Sequence, residues 1–395
     1  MIDMHTNIEA LILQTPECEE FLYPFMKGIT SSSTLLSISK EHNVSVEALQ
    51  YGLSRTIKRA EQNPLDYEQM RNRLIKPGHL NVAGFVNFLW QNEFINALET
   101  KAAALGINLN LNIFPKHSKK TFQNYLAVCD SPNDLPELLI GKGFSSLMSQ
   151  RFVDKFVKSG NYAHPSVSSQ MGNAFERANF RDVQQNYHPF GVEEMVMIRD
   201  KTIPFDKAMP QKWLDLLQPQ YTNAIMQMGK SKRDHFGFNM MLYLHTKVGE
   251  QGIRQYANNV KNKQHFSYII KNMARNNHDS ALISIVHQFT ENFIRSDAKQ
   301  KTELLITEDG NPSVCHFYLM KNNASHQAIQ MAQYFYSSDI KAILEKCGTA
   351  HITSDKPMSG SSKTQWVGWD TIKNSSLPFL KEELSEVAFQ HFACH

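Results

Sequence analysis

EEMVMIRD (193–200), KAMPQKWLDLLQPQYTNAIMQMG (207–229) and VGEQGIRQYANNV (248–260) follow one another within a single stretch of the chain. The first reads as a strand, because Met195–Ile198 is an unbroken apolar run. The second carries Trp213, then Leu214, Leu216 and Leu217, then Pro219 and Tyr221, and an extended apolar run up to Gly229. The third is an amphipathic helix preceded by Gly-Glu-x-Gly.

The same rhythm spreads outward from this stretch. LNVAGFV (80–86) is a short strand, WQNEFINALETKAAALGI (90–107) an amphipathic helix stopping at Gly106, and LNLNIF (109–114) the next strand. LPELLIGKGFSSLM (135–148) reads as a strand breaking into a Gly-containing loop, with QRFVDKFVKSG (150–160) as the helix behind it. ALISIVHQFTENFI (281–294) reads as a strand followed by an aromatic helix. Strands alternating with helices predict an α/β fold with a mainly parallel sheet, whose ligands collect beyond the C-terminal ends of the strands.

Motif order within 193–260 resembles the second lobe of the type II periplasmic solute-binding proteins, the receptors of ABC importers. The resemblance runs on through residues 307–352, with the Asp309–Gly310 pair, a strand, a helix and then Gly348, and through the W-x-G-W-D of Trp366–Asp370. It implies a two-lobed type II fold over 77–395. Lobe one would hold about 77–186 and 300–395, and lobe two about 187–299. The crossing strands are expected near 192–199 and 313–320. It also implies hinge closure on a small solute.

Residues 1–60 carry helical spacing instead: Ile8, Leu11 and Ile12, then Phe21, Leu22 and Phe25, then Leu35, Leu36 and Ile38, then Val46, Leu49 and Leu53. Thr34 and Ser45 are the expected N-caps. This N-terminal small all-α domain resembles the redox-disulfide domain associated with hybrid-cluster proteins. That family's two cysteines are missing, since ITSSS (29–33) stands in their place, so no dithiol chemistry is expected. The stretch 61–76 reads as a linker.

Site candidates follow from the strand ends. Asn87, Phe88 and Trp90 begin a helix, where free N–H groups suit an anion. Gly141, Lys142, Gly143, Phe144 and Ser145 form a second such loop, with Gly143, Phe144 and Ser145 as its candidate ligand residues. His287 and Gln288 stand where iron-binding relatives present adjacent tyrosines, and no Tyr-Tyr pair occurs in the chain. Asp309 and Asn311 would add further donors and acceptors. No metal site and no cofactor is expected: no H-E-x-x-H spacing occurs, and H-x-x-x-H occurs only as His391–His395 in the last residues. His391, Cys394 and His395 form a weak chelating group at a frayed end. Trp213, Trp366 and Trp369 read as packing anchors. Glu193 and Glu194 face opposite ways on a strand, so a paired acid–base role is not expected.

A net charge of +3, from 41 basic and 38 acidic residues, is too balanced for a nucleic-acid partner. The short runs HSKK (117–120) and KSKRD (230–234) read as solvated loop charges. No apolar run reaches the roughly 20 residues of a membrane span, so no membrane insertion is expected. The first residues lack a signal-peptide pattern. Five cysteines without close pairs fit a reducing compartment. A cytoplasmic location is therefore expected, or a periplasmic one if a leader has been lost.

These readings favour a solute-binding protein for a polar or anionic organic ligand or a metal complex, with an ABC transporter or a redox protein as partner. The alternatives are an enzyme on the same fold with a thiaminase-like cysteine nucleophile, or a cytoplasmic interaction or sensor protein linked to redox or iron–sulfur metabolism. The first needs a cysteine in the cleft beside a carboxylate.

Overall fold

The structure is a computed structural model, and it describes residues 2–27, 29–115, 118–164, 170–229 and 235–392. The basic run 230–234, His117 and the Cys394–His395 pair lie outside those residues, as does the side chain of His391.

Strand pairing makes the lobes. β1 (Leu80–Gly84), β2 (Leu109–Ile113) and β3 (Leu138–Lys142) lie parallel with β1 in the middle. β4 (His188–Asp200) is the long strand opened by the decisive stretch. β5 (Ile225–Met228), β6 (Val260–Gln264) and β7 (Ile283–His287) form a second parallel set with β5 in the middle. β8 (Thr302–Leu305) and β9 (Asn311–Met320) follow. The first part of β4 pairs antiparallel with β9, and its second part, from Met195, pairs with β7 and β8. β9 in turn pairs with β3. The path therefore runs β2-β1-β3-β9-β4-β7-β5-β6, and β4 and β9 carry the chain from one lobe to the other. This is the two-lobed type II arrangement, with the crossing strands where the sequence places them.

Helices cover the faces of each set, as parallel strands require. α1 (Ile8–Gln14), α2 (Cys18–Leu22), α3 (Leu35–His42) and α4 (Val46–Gln62) form the N-terminal unit around Ile8, Phe21, Leu35 and Leu49. Thr34 Oγ1 accepts from Ser37 N at 3.2 Å and Ser45 Oγ accepts from Ala48 N at 3.1 Å, so both expected caps hold. α5 (Tyr67–Leu74) falls in the stretch read as a linker, yet Met70 and Leu74 are buried in the same core as Phe122 and Leu139. α6 (Gln91–Ala104) ends at Gly106, whose φ of +66° favours glycine. α7 (Lys119–Val128) follows β2.

Two expected helices are shorter than their sequence suggests. Behind β3 only Gln150–Phe152 is α-helical, continuing in wider turns to Val157. Behind β7, residues 288–293 form tight turns: three consecutive buried side chains, Gln288, Phe289 and Thr290, do not fit one face of an α-helix. The helix His235–Asn259 is instead long, with a bend at Gly249, where φ is +67°.

The helix Leu377–Phe392 packs between α4 and His235–Asn259. Its Phe379 stands edge-on to Phe21 and Phe25, at 5.9 and 5.0 Å between ring centres. Glu382 pairs with Arg55 at 2.5 Å, and Glu386 accepts from Ser45 Oγ at 2.9 Å. No described helix is long and apolar enough to cross a membrane.

Candidate functional site

Both parallel sets aim their C-terminal ends at the crossing strands. There Glu193 is 3% exposed and its carboxylate gathers groups from each lobe. Asn87 Nδ2, from the loop after β1, donates to Oε1 at 2.6 Å. Lys142 Nζ, at the end of β3, reaches Oε2 at 2.5 Å. His316 Nε2, on β9, lies 2.8 Å from Oε1. His287 Nδ1, at the end of β7 in the other lobe, lies 3.9 Å from Oε2. Burial is the largest single influence and pushes the Glu193 carboxyl up, but Lys142, His316 and His287 together outweigh it and hold it well below the usual carboxylate range. Burial drives the His287 imidazole down to about 4 and also lowers that of His316, so both are neutral near pH 7.

Lysine dominates the surroundings. Lys119 lies half-buried with its Nζ 4.0 Å from the centre of the Phe85 ring. Burial, then Lys142 and Lys381, lower it to about 8. Lys142 on the carboxylate and Lys119 within electrostatic reach of it make the surroundings positive, an arrangement suited to a further anion.

The sequence-derived candidates divide here. Asn87 and His287 meet at Glu193. Trp90 is fully buried behind the site, with its ring 4.9 Å from His316 and its indole N–H donating to Thr349 Oγ1 at 3.3 Å; it packs the site without facing the cleft. Phe88 is 64% exposed and stands edge-on to Phe289 across the lobes at 6.5 Å. Gln288 donates to Glu291 at 2.8 Å, and its Oε1 is buried without a hydrogen-bond partner. Gly143, with φ +56°, donates its N–H to Cys315 O at 2.9 Å and turns the chain so that Phe144 meets Phe238 of the other lobe at 5.7 Å. Ser145 is buried and its hydroxyl has no hydrogen-bond partner.

Asp309 and Asn311 are not brought to this cluster. Asp309 accepts from the backbone N–H of Trp213 at 3.3 Å and Asn311 accepts from its indole N–H at 3.2 Å. They fasten the anchor that the W-x-D-L-L segment provides. Their position follows from strand alternation: Asn311 lies beside Glu194, which faces away from Glu193.

Glu193, Lys119 and His316 are site residues that the sequence pattern does not single out, and Lys142 stands in the second candidate loop. HSKK was read as a solvated run, although Lys119 stands just beyond the end of β2, a position equivalent to the two loops that were chosen. Glu193 and Glu194 do face opposite ways, which removes a paired role but leaves Glu193 free to act alone.

Glu194 supplies a separate test. It is 1% exposed, and burial raises its carboxyl to about 7 against donors from Ser359, Asn311 and Thr364. A folded value above the unfolded one means that the folded state binds the proton more tightly. Its contribution to stability is complete below about pH 4.5, is lost as pH rises towards 7, and is absent above. Glu194→Gln is expected to flatten that loss and to stabilise the protein at pH 8 by on the order of 2–3 kcal/mol. Urea unfolding at pH 5 and pH 8 checks this; an unchanged pH dependence in the variant would refute it.

The four described cysteines offer no activated thiol. Cys18, Cys129 and Cys315 are buried and Cys347 is half-buried. Burial raises all four, Cys18 to about 12. Among the described residues no three or more His, Cys, Asp or Glu side chains are grouped to hold a metal ion.

Comparison with known proteins fits this geometry. Solved structures share the architecture. The ferric binding protein from Campylobacter jejuni has a TM-score of 0.53 at 12% identity, covering 80% of this chain and 98% of that chain. A Trichodesmium protein (IdiA, FutA) in complex with iron and citrate gives 0.56 at 12%, covering 80% and 99%. Ferric iron-binding protein A of Mannheimia haemolytica, in an open conformation, gives 0.56 at 13%, covering 78% and 98%. At such identities the likeness establishes the fold alone. No curated protein matches the chain. The family model for bacterial extracellular solute-binding proteins matches residues 133–375, so it does not reach the N-terminal helices. It does span more than half of the sequence, and the chain belongs to the bacterial extracellular solute-binding protein family.

Proposed function

We propose that the two lobes close on a small anionic organic solute, or on a metal ion carried by one, above Glu193. The observation that carries this reading is the convergence of Lys142, Asn87 and His316 on a single buried carboxylate between the lobes. In the absence of a ligand Glu193 acts as an internal counter-anion for Lys142, Asn87 and His316. A solute carboxylate or phosphate would compete for the same donors. Phe88 and Phe289 meet across the lobes at the rim and would move with closure.

The names of the structural relatives raise ferric iron as a second reading. In this chain His287 and Gln288 stand where the sequence resemblance places tyrosines, and a cluster of ammonium groups repels a bare trivalent cation. An iron–carboxylate complex suits such a site better, because the anion brings the negative charge. Delivery to an ABC transporter, and action in a reducing compartment, belong to the same proposal. Cell fractionation and crosslinking test them: recovery only in the membrane-free periplasm would overturn the compartment.

A thermal-shift and small-angle scattering screen of the full chain tests the binding reading. Organic di- and tricarboxylates and phosphate esters, with and without ferric iron, are expected to raise the melting temperature and compact the protein. Asn87→Ala should weaken the hit by about 1–3 kcal/mol through loss of a buried donor. Tight binding of ferric iron with no accompanying anion, or a screen without any shift, would sink the proposal.

A further inference from the structure

Beside the cleft lies a cavity of about 400 Å³ between α4, the loop after β3 and the helix Leu377–Phe392. Phe144 and Phe238, one from each lobe, form part of its wall, so the N-terminal helical unit closes over the junction of the lobes.

Its charge is lopsided. Arg55 is paired with Glu382, and Arg59 lies 3.5 Å from Glu20. Lys58 and Lys120 at the rim and Lys381 on the C-terminal helix add cations, while Glu20 and Glu382 are the acidic groups among the described lining residues. Two buried groups also lack acceptors or donors. Arg59 Nη2 faces Glu20, but its Nε has no hydrogen-bond partner, and Ser145, 8% exposed and lining the same cavity, has a hydroxyl without one. Buried N–H and O–H groups left unsatisfied carry a cost that a bound acceptor removes. A single small oxyanion would leave most of this volume unused, since 300–1,000 Å³ is the span of small-molecule pockets.

We propose that this cavity is the outer half of a composite ligand site: an organic polyanion, bearing at least two carboxylate or phosphate groups, sets one group on Lys142 and Asn87 in the cleft and another on Arg59 and Ser145. The loop after β3 links the two halves: Lys142 at its start holds Glu193, and Ser145, just past the Gly143 turn, lines the cavity. The helical unit thereby contributes directly to recognition. This rests on the cleft reading above, and deepens it by assigning ligand valence and a second anchoring group.

Calorimetric titration of the full chain with citrate and with fructose 1,6-bisphosphate tests the idea and separates carboxylate from phosphate sources; acetate and inorganic phosphate are the simple-anion controls. One of the two polyanions is expected to bind one-to-one, and neither control to match it. Arg59→Gln should weaken that binding about 10- to 100-fold, as for a lost charged hydrogen bond. Should Arg59→Gln fail to fold, Ser145→Ala serves, with an expected loss of about 3- to 10-fold. Lys142→Gln reports on the cleft separately. Weakening in Lys142→Gln with wild-type affinity in Arg59→Gln and Ser145→Ala would leave the cleft reading standing and overturn the composite site. Weakening in Arg59→Gln and Ser145→Ala with wild-type affinity in Lys142→Gln would overturn the cleft reading and, with it, the shared site. Equal affinity for inorganic phosphate, or no binding of either polyanion, would also overturn the proposal.

Discussion

An Asp182→Ala variant is expected to lose about 3–5 kcal/mol of stability, the range for removing one partner of a buried ion pair. Lys373 is 4% exposed and Asp182 3%. The ammonium donates to both carboxylate oxygens at 2.7 and 2.8 Å, to Gln184 Oε1 at 2.9 Å and to Asn186 Oδ1 at 3.2 Å. Asp182 also accepts the backbone N–H groups of Asn186 and Tyr187, both at 3.0 Å. Alanine would strand a buried charge and those backbone donors together. The effect should be visible locally, since Trp369 stacks on Tyr187 at 4.9 Å and its indole N–H donates to Phe180 O at 2.8 Å. Denaturant titration followed by tryptophan fluorescence measures it. A loss below about 1 kcal/mol would show that water or a rearranged loop takes over the carboxylate's role.

Glu193→Gln is expected to tighten binding of an anionic solute by about tenfold, or roughly 1.4 kcal/mol. Glutamine keeps the shape and can still meet Asn87 and His316, but it removes the negative charge that competes for Lys142. The sign is the informative part. If Glu193 were a ligand to a bare metal ion, the same substitution would weaken binding. The wild-type protein should also lose stability on acidification: Glu193 is held well below its usual value, so its contribution is present above about pH 4.5 and disappears as pH falls through the lower folded value. The variant should lack that part of the acid transition. Weaker anion binding in Glu193→Gln would refute the counter-anion role.

Much of the fold was legible because it rests on local pattern. The parallel strands show as short apolar runs such as LLIGK, and the crossing strand as MVMI, whose residues are buried on both faces. Thr34, Ser45 and Gly106 gave their helix boundaries through capping chemistry that needs only neighbouring residues. The site was less legible. Asn87 and His287 could be chosen because they stand at strand ends. Glu193, Lys142 and Lys119 come from three different strand ends or crossings, and only the sheet order brings them together. Asp309 and Asn311 were equally well placed along the sequence, but alternation along β9 and the demand of the Trp213 indole for an acceptor turn them elsewhere. Nothing in the sequence announces that α4 would meet residues of the C-terminal helix.

That meeting has a consequence for synthesis. Arg55 and Glu382 are 327 residues apart in sequence. At translation rates of about 5–20 residues per second, the N-terminal helices wait roughly 15–65 s for the partner that covers Phe21 and Phe25. During that interval an apolar face stays open on the ribosome-bound chain, a natural target for a holdase. The helical unit is therefore made long before the helix that completes it, and its docking has to wait until residues 377–392 have been synthesised.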